Sequence, residues 1–302
     1  MSKLTVRLGK LELRNPTILA SGILCSGSLL KRAAIESGAG AVVTKSLTMD
    51  ERGGYPTPVI VGVNEGLVNA VGLANQGYEG FLSQELSLAK GGKIPVFVSV
   101  AGSDSKEFRK ICVRAEEAGA DAVELNLSCP HVKKHGLEMG ADPITVRKLV
   151  KEVKGTLKIP VHVKLGLSDS LKDSAIAAQD SGADAVVAIN TIRAMAIDVH
   201  ARKPVLSHVY GGLSGPAIHP IALRCVHELY EHLSIPIVGC GGVEDWQGAI
   251  RFMLAGATSV QIGSAVATRG VEIFGRVAKG IERYLDAQGF KNLDEVIGSV
   301  HR

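Results

Sequence analysis

The residues from Val123 to His131, Val-Glu-Leu-Asn-Leu-Ser-Cys-Pro-His, hold the densest chemistry in the chain. An apolar run ends in an amide, Asn126. Three residues later comes a thiol, Cys129, with Pro130 directly after it. Pro130 fixes its own φ and drives Cys129 out of helical geometry. The stretch reads as a buried strand that opens, at its C-terminal end, into a rigid loop presenting a thiol. A free cysteine is more often a small packing residue. A thiol titrates near a reference pKa of about 8.5, so a modest electropositive surrounding would make this one a usable base.

Other chemically capable residues also stand at or near the ends of apolar runs. Lys45 and Lys164 interrupt otherwise apolar strands. A lysine buried without a partner is costly, so an anion or an electron-rich ring is expected beside each. Asn69, Asn126 and Asn190 would supply three amides. Amides both donate and accept, which suits a planar ring of carbonyls and N–H groups. Gly241-Gly242 and Gly263-Ser264 follow two further apolar runs. Glycine lets backbone N–H groups approach an anion closely, and a following helix start adds a favourable dipole. One such turn is ordinary; two in neighbouring loops point to a phosphate.

Something must bring these residues together. The chain has 302 residues, 46% hydrophobic but only 4% aromatic. Val, Ile, Leu and Ala must therefore fill the core, as they do in parallel sheets covered by helices. Strands are expected at 16–21, 41–45, 96–100, 122–127, 161–165, 185–190, 237–240 and 259–262. Helices are expected near 29–37, 78–89, 106–118, 144–156, 171–181 and 273–287. Residues 4–15 alternate apolar and polar around Gly9-Lys10 and read as a hairpin lid. Two long connections, from Ser46 to about Gln76 and from Thr191 to about Ile218, read as structureless and functional. An internal signature supports the parse. Ser37-Gly-Ala-Gly-Ala-Val-Val, Ala118-Gly-Ala-Asp-Ala-Val-Glu, Ser181-Gly-Ala-Asp-Ala-Val-Val and Ala255-Gly-Ala-Thr-Ser-Val-Gln are near copies. Each reads as a helix end, a glycine and the next buried strand, and they introduce strands two, four, six and eight. Strict alternation over eight strands predicts an α/β fold, a (β/α)₈ TIM barrel with a short N-terminal β-hairpin. No linker or composition shift divides it, so residues 1–302 are expected to form one domain. In such barrels the strand C-terminal ends carry the chemistry, and the loops after strands seven and eight commonly hold phosphate.

Composition excludes several classes. The net charge is +4 with 34 basic residues dispersed along the chain, which is a solvated surface and not a nucleic-acid footprint. Five cysteines, at 25, 112, 129, 225 and 240, include no CxxC pair, so neither an iron–sulfur nor a metal site is expected on this chain. Reduced thiols, an N-terminus without a signal-peptide core and the lack of a long apolar run predict a cytoplasmic protein without a membrane span.

The motifs Thr44-Lys-Ser, Asn69-Ala-Val-Gly-Leu, Glu124-Leu-Asn-Leu-Ser-Cys-Pro, Ile189-Asn-Thr, Met195-Ala-Ile-Asp, Arg202-Lys-Pro-Val-Leu, Gly211-Gly-Leu-Ser-Gly-Pro-Ala-Ile and Gly241-Gly-Val run in order over nearly the whole chain. Together they resemble the dihydroorotate dehydrogenase family. The resemblance implies an FMN-binding barrel that oxidises dihydroorotate to orotate in pyrimidine biosynthesis. It implies that Ala20, Ser21, Lys45, Ser46, Asn126, Lys164, Ile189, Gly215, Gly241, Gly242, Gly263 and Ser264 line FMN. Lys45, Asn69, Val71, Gly72, Leu73, Asn126, His131, Asn190 and Thr191 would hold the substrate. Cys129 would take the C5 proton while flavin N5 takes the C6 hydride, with Lys164 stabilising the reduced ring. A cysteine at this place resembles class 1, and the run from Met195 to Ile218 is most similar to class 1B. That class implies a partner subunit carrying FAD and a 2Fe–2S cluster that passes electrons to NAD, around a homodimer of barrels. An exposed apolar patch for that docking is expected on one face. The family usually has asparagine after Cys-Pro, where this chain has His131. Two other readings compete: a flavin barrel acting on a related dihydropyrimidine, and a non-redox phosphate-binding barrel, either a lyase or isomerase or a silent binding protein.

Overall fold

The computed structural model describes residues 2–128 and 136–302. Eight parallel strands close into a barrel in chain order: Thr17–Leu19, Ala41–Val43, Val96–Val100, Ala122–Asn126, Val161–Leu165, Ala185–Ala188, Ile237–Cys240 and Ser259–Ile262. The sixth strand returns to the fifth, pairing Val186 with Val163 and Ala188 with Leu165. Nearly every strand residue is buried, because helices cover the outer face and side chains fill the inner one. That explains the unbroken apolar runs.

The helices form where caps and apolar stripes coincide. The helix Ser105–Glu117 starts at Asp104, whose carboxylate accepts from the Lys106 and Glu107 amides, and it buries Phe108, Ile111, Cys112 and Ala115. The repeated signature behaves as its spacing predicts: Gly38, Gly119, Gly182 and Gly256 all have φ between 76° and 114°. Several helices were absent from the expected set, Trp246–Leu254 and His219–Tyr230 among them; the latter begins beside Pro220, a residue favoured in a first helical turn.

Two expectations need correcting. The N-terminal hairpin, Val6–Leu8 paired with Leu11–Leu13, is present, but it plugs the far mouth of the barrel. Leu8 and Leu13 are wholly buried in the main core, and Gly9 packs on Asp184, at the start of the sixth strand. The two long connections are not structureless. Ile60–Val63 and Gly66–Asn69 form a hairpin in the first; Ile192–Ala194 and Gly211–Ser214 pair in the second. The two then join, with Gly212 opposite Asn69 and Ser214 opposite Leu67, into one four-stranded antiparallel sheet. It has its own small core of Val68, Ala70 and Leu206, and Tyr55 stacks on His208 at 3.9 Å between ring centroids.

The barrel interior contains an acid-sensitive group. His162 is 1% exposed, packs edge-on against Phe97, and its Nε2 has no hydrogen-bond partner among the described residues. Burial pushes its pKa down from 6.5 to about 4; Asp184 pulls weakly upward and Lys154 downward. The unfolded chain thus binds this proton below about pH 6.5, whereas the folded chain resists it down to about pH 4. Stability from this source is complete above pH 6.5 and is lost as pH falls toward 4. At roughly 1.4 kcal/mol per unit, the loss reaches about 3 kcal/mol. Urea midpoints measured from pH 7 to 4 should fall along this limb, and His162→Leu should flatten it. An unchanged limb in the variant would assign the acid sensitivity elsewhere.

Candidate active site

A cavity of about 330 Å³ opens at the C-terminal ends of the strands, within the size range of small-molecule sites. Every described residue assigned to a cofactor or substrate from the sequence lines it: Ala20, Ser21, Lys45, Ser46, Asn69, Val71, Gly72, Leu73, Asn126, Lys164, Ile189, Asn190, Thr191, Gly215, Gly241, Gly242, Gly263 and Ser264. Cys129 and His131 lie outside the described residues.

One wall is a hydrogen-bonded row of small polar side chains running across the strand ends. Ser21 and Ser46 hydroxyls lie 3.3 Å apart, and Ser46 meets Ser99 at 2.9 Å. Asn126 donates to Ser46 at 3.0 Å, Ser128 donates to the Asn126 carbonyl at 3.0 Å, and Asn190 donates to Ser128 at 2.7 Å. Strands one, two, three, four and six are thereby tied together, and Ser128, the chain neighbour of Cys129, is fixed within that row. Ser99 and Ser128 escaped the sequence reading. Their signal was present: each is a polar residue within or just after an otherwise apolar buried strand.

Lys45 lies over Gly22 and has no hydrogen-bond or carboxylate partner among the described residues. An ammonium in this position has coordination to offer an anion. The opposite wall is backbone. Gly215, Gly241 and Gly242 have φ of 104°, 143° and 67°. A Cβ at Gly242 would lie 2.6 Å from the Gly215 carbonyl, and one at Gly241 would lie 2.6 Å from Ala222 Cβ. Only glycine fits either position. His219 helps hold the loop: a carbonyl can only accept, so its Nδ1–H donates to Gly241 O at 2.9 Å. Burial lowers the His219 pKa, the Gly241 contact opposing it, which favours neutral imidazole there. The expected helix dipoles are weaker than foreseen. The helix after strand eight has only five residues, Ala265–Arg269, and the one after strand seven starts at Trp246.

At the floor of the cavity, Lys164 donates to Gln261 Oε1 at 2.7 Å, and Gln261 donates to Glu124 Oε2 at 2.5 Å. Gln261 and Cys240 line the cavity and were not assigned from the sequence. Among the other thiols, Cys112 and Cys225 are buried, and burial raises the pKa of both and of Cys240. Cys25 is an exposed loop residue ahead of the helix Gly27–Ser37.

The dihydroorotate dehydrogenase family model matches residues 3–285. The chain belongs to the dihydroorotate dehydrogenase family. It is 48% identical to the dihydroorotate dehydrogenase B (NAD(+)) catalytic subunit of Methanocella arvoryzae, over 99% of this chain and 98% of that one. It is 46% identical to the catalytic subunit of the same name from Thermococcus kodakarensis, over 99% and 98%. A relative from Aeropyrum pernix, provisionally named dihydroorotate dehydrogenase A (fumarate), is 45% identical over 99% and 98%. In fold, the chain resembles the solved structure of the Eimeria tenella DHODH in complex with ferulenol, with a TM-score of 0.83 at 21% identity, covering 99% of this chain and 89% of that one.

Membership of the dihydroorotate dehydrogenase family implies a flavin, and the cavity's donor set suits one. The glycine wall can admit a phosphate. The amide row and Lys164 can meet the polar edge of an isoalloxazine ring. Ile23, Ile218 and Val243 supply apolar contact.

Proposed function

We propose that this chain is the FMN-bearing catalytic subunit of a class 1B dihydroorotate dehydrogenase, a single (β/α)₈ domain spanning residues 1–302 that oxidises dihydroorotate to orotate in pyrimidine biosynthesis. The observation that carries this reading is the convergence on one cavity of a lysine without a partner among the described residues, three amides and a glycine wall, beside the segment that leads into Cys129.

The flavin, when bound, supplies the acceptor for the hydride leaving C6 of the substrate. This chain's residues do the rest. Cys129 takes the proton from C5. Lys45 balances the substrate carboxylate. Asn69, Asn126, Asn190 and Thr191 hold the ring's carbonyl and N–H groups, with Val71, Gly72 and Leu73 closing one side and His131 replacing an amide. Gly215, Gly241, Gly242, Gly263 and Ser264 receive the cofactor phosphate on backbone N–H groups. Ala20, Ser21, Ser46 and Ile189 would line the ring's site, and Lys164 would supply preorganised positive charge to its polar edge. The antiparallel sheet roofs the site and limits water.

A partner subunit carrying FAD and a 2Fe–2S cluster would take the electrons to NAD, with two barrels at the centre of the assembly. The relatives' names include the term catalytic subunit. Half of the large exposed hydrophobics among the described residues, Ile60, Met195, Ile197, Val199, Val209 and Tyr210, lie on the roofing sheet and its neighbouring segments, a surface such docking would cover. No helix among the described residues is long and apolar enough to cross a membrane, consistent with work in the cytoplasm.

The test begins with colour. The purified chain should show a flavin spectrum, release FMN on denaturation and bleach with dihydroorotate but not with dihydrouracil. A colourless protein that takes up no FMN refutes the proposal. The Aeropyrum pernix relative favours a second reading, with fumarate as acceptor. The isolated chain should turn over with an artificial dye and neither reduce NAD nor use fumarate. Brisk fumarate turnover would select class 1A.

A further inference from the structure

Strand four carries Glu124, wholly buried one pleat below Asn126 and away from the cavity wall. A lone buried carboxylate is expensive unless it meets a cation. The nearest ammonium is Lys164, on the adjacent strand and 4% exposed. Yet the two do not touch. Lys164 Nζ stands 4.0 Å from Glu124 Oε1, and that oxygen has no hydrogen-bond partner among the described residues. Gln261, from strand eight on the other side of the barrel, is inserted between them. It accepts from Lys164 at 2.7 Å and donates to the second carboxylate oxygen at 2.5 Å.

The polarity of this chain of contacts admits one arrangement. An ionised carboxylate only accepts and an ammonium only donates. The Gln261 amide must therefore point its NH₂ at Glu124 and its carbonyl at Lys164. Glu124 fixes the amide, and the amide fixes the lysine. Without it, a shift of about 1 Å would bring Lys164 onto the open Glu124 oxygen at ordinary charge-assisted distance. The ammonium would then sit lower, further from the cavity and more fully neutralised.

We propose that Gln261 is a positioning residue: clamped by Glu124, it holds the Lys164 ammonium off the carboxylate and up toward the cavity, so that the positive charge acts on the bound ring. The inference rests on the flavin reading above for its consequence, while the geometry it asserts is testable without flavin.

The first experiment is a crystal structure of Gln261→Met. Lys164 Nζ should lie in direct contact with Glu124. An ammonium left in place, with the gap to Glu124 unchanged, overturns the proposal whether or not flavin binds. The second is equilibration of the FMN-loaded protein with a reference dye at fixed poise. Gln261→Met should lower the ratio of reduced to oxidised flavin about tenfold or more, the scale of one charged hydrogen bond, with oxidised FMN still bound. Glu124→Gln alone, which removes the counter-charge and leaves the spacer, should raise the ratio. Adding Glu124→Gln to Gln261→Met removes the trap and should restore the ratio to wild type or above. If Gln261→Met does not fold, Gln261→Asn, whose shorter amide cannot span the gap, should lower the ratio in the same way. A purely structural role would lower thermal stability in every variant without this ordered change of sign, and that result overturns the proposal. Failure of the wild type to bind FMN would instead strike the proposed function, and the crystal structure would still decide the geometry.

Discussion

Cys129→Ala is expected to slow dihydroorotate-driven bleaching of the flavin by about 10²- to 10⁴-fold, the usual worth of a general base. The other four thiols offer no substitute. Cys112 and Cys225 are sealed in the core. Cys240 lines the cavity, but burial raises its pKa, with Lys164 opposing and Glu124 reinforcing that rise. Cys25 is exposed in a loop outside the cavity lining. Cys129 alone follows Ser128, which is hydrogen-bonded to both Asn126 and Asn190 on the cavity wall. Single-turnover absorbance is the measurement, because it isolates the reductive half-reaction from the acceptor. FMN content should be unchanged. In wild type the rate should rise with pH as the thiol ionises, and in the variant that dependence should disappear. Bleaching at close to the wild-type rate would place the base elsewhere.

Lys45→Met should lower kcat/KM for dihydroorotate by about 10²- to 10³-fold. Losing one partner of a desolvated, hydrogen-bonded charge pair costs about 2–5 kcal/mol, and the middle of that range, about 2.7–4.1 kcal/mol, corresponds to this rate loss. Methionine keeps the length of the stem and deletes the charge. The wild-type ammonium has no carboxylate among the described residues to balance it, so its coordination is available to a ligand. Its position is held by the backbone next to Ser46, whose hydroxyl is tied to Ser21, Ser99 and Asn126. The loss should appear mainly in KM if Lys45 binds the substrate carboxylate in the ground state, and in kcat if it acts on charge developing in the flavin. Unaltered kinetics would show that the side chain faces neither.

The sequence by itself determined the barrel. Parallel strands buried on both faces must be apolar runs, and the glycines that end the helices recur at four equivalent places, so eight strands can be counted in one dimension. It also determined which polar residues stand at strand ends, because a lysine or an amide in an apolar run is costly to bury unless a polar group or a ligand meets it. Strand ends in a closed barrel share one mouth, which is why the described candidates meet in one cavity.

What the sequence could not decide was pairing between segments far apart in the chain. The strands Gly66–Asn69 and Gly211–Ser214 are short and only partly buried, so neither carries an alternating pattern, and each takes its second ladder from the other, 143 to 147 residues away in the chain. The N-terminal hairpin was legible as a hairpin, but its end of the barrel was not; Leu8 and Leu13 state that they are buried, not where. The row Ser21–Ser46–Asn126–Ser128–Asn190 and the spacer Gln261 depend on side chains from different strands meeting across the barrel. Glu124 and Gln261 are 137 residues apart. Nothing local distinguishes a buried glutamine that spans a cation and a carboxylate from one that packs. Closure of the sheet, which brings strand eight opposite strands four and five, decides it.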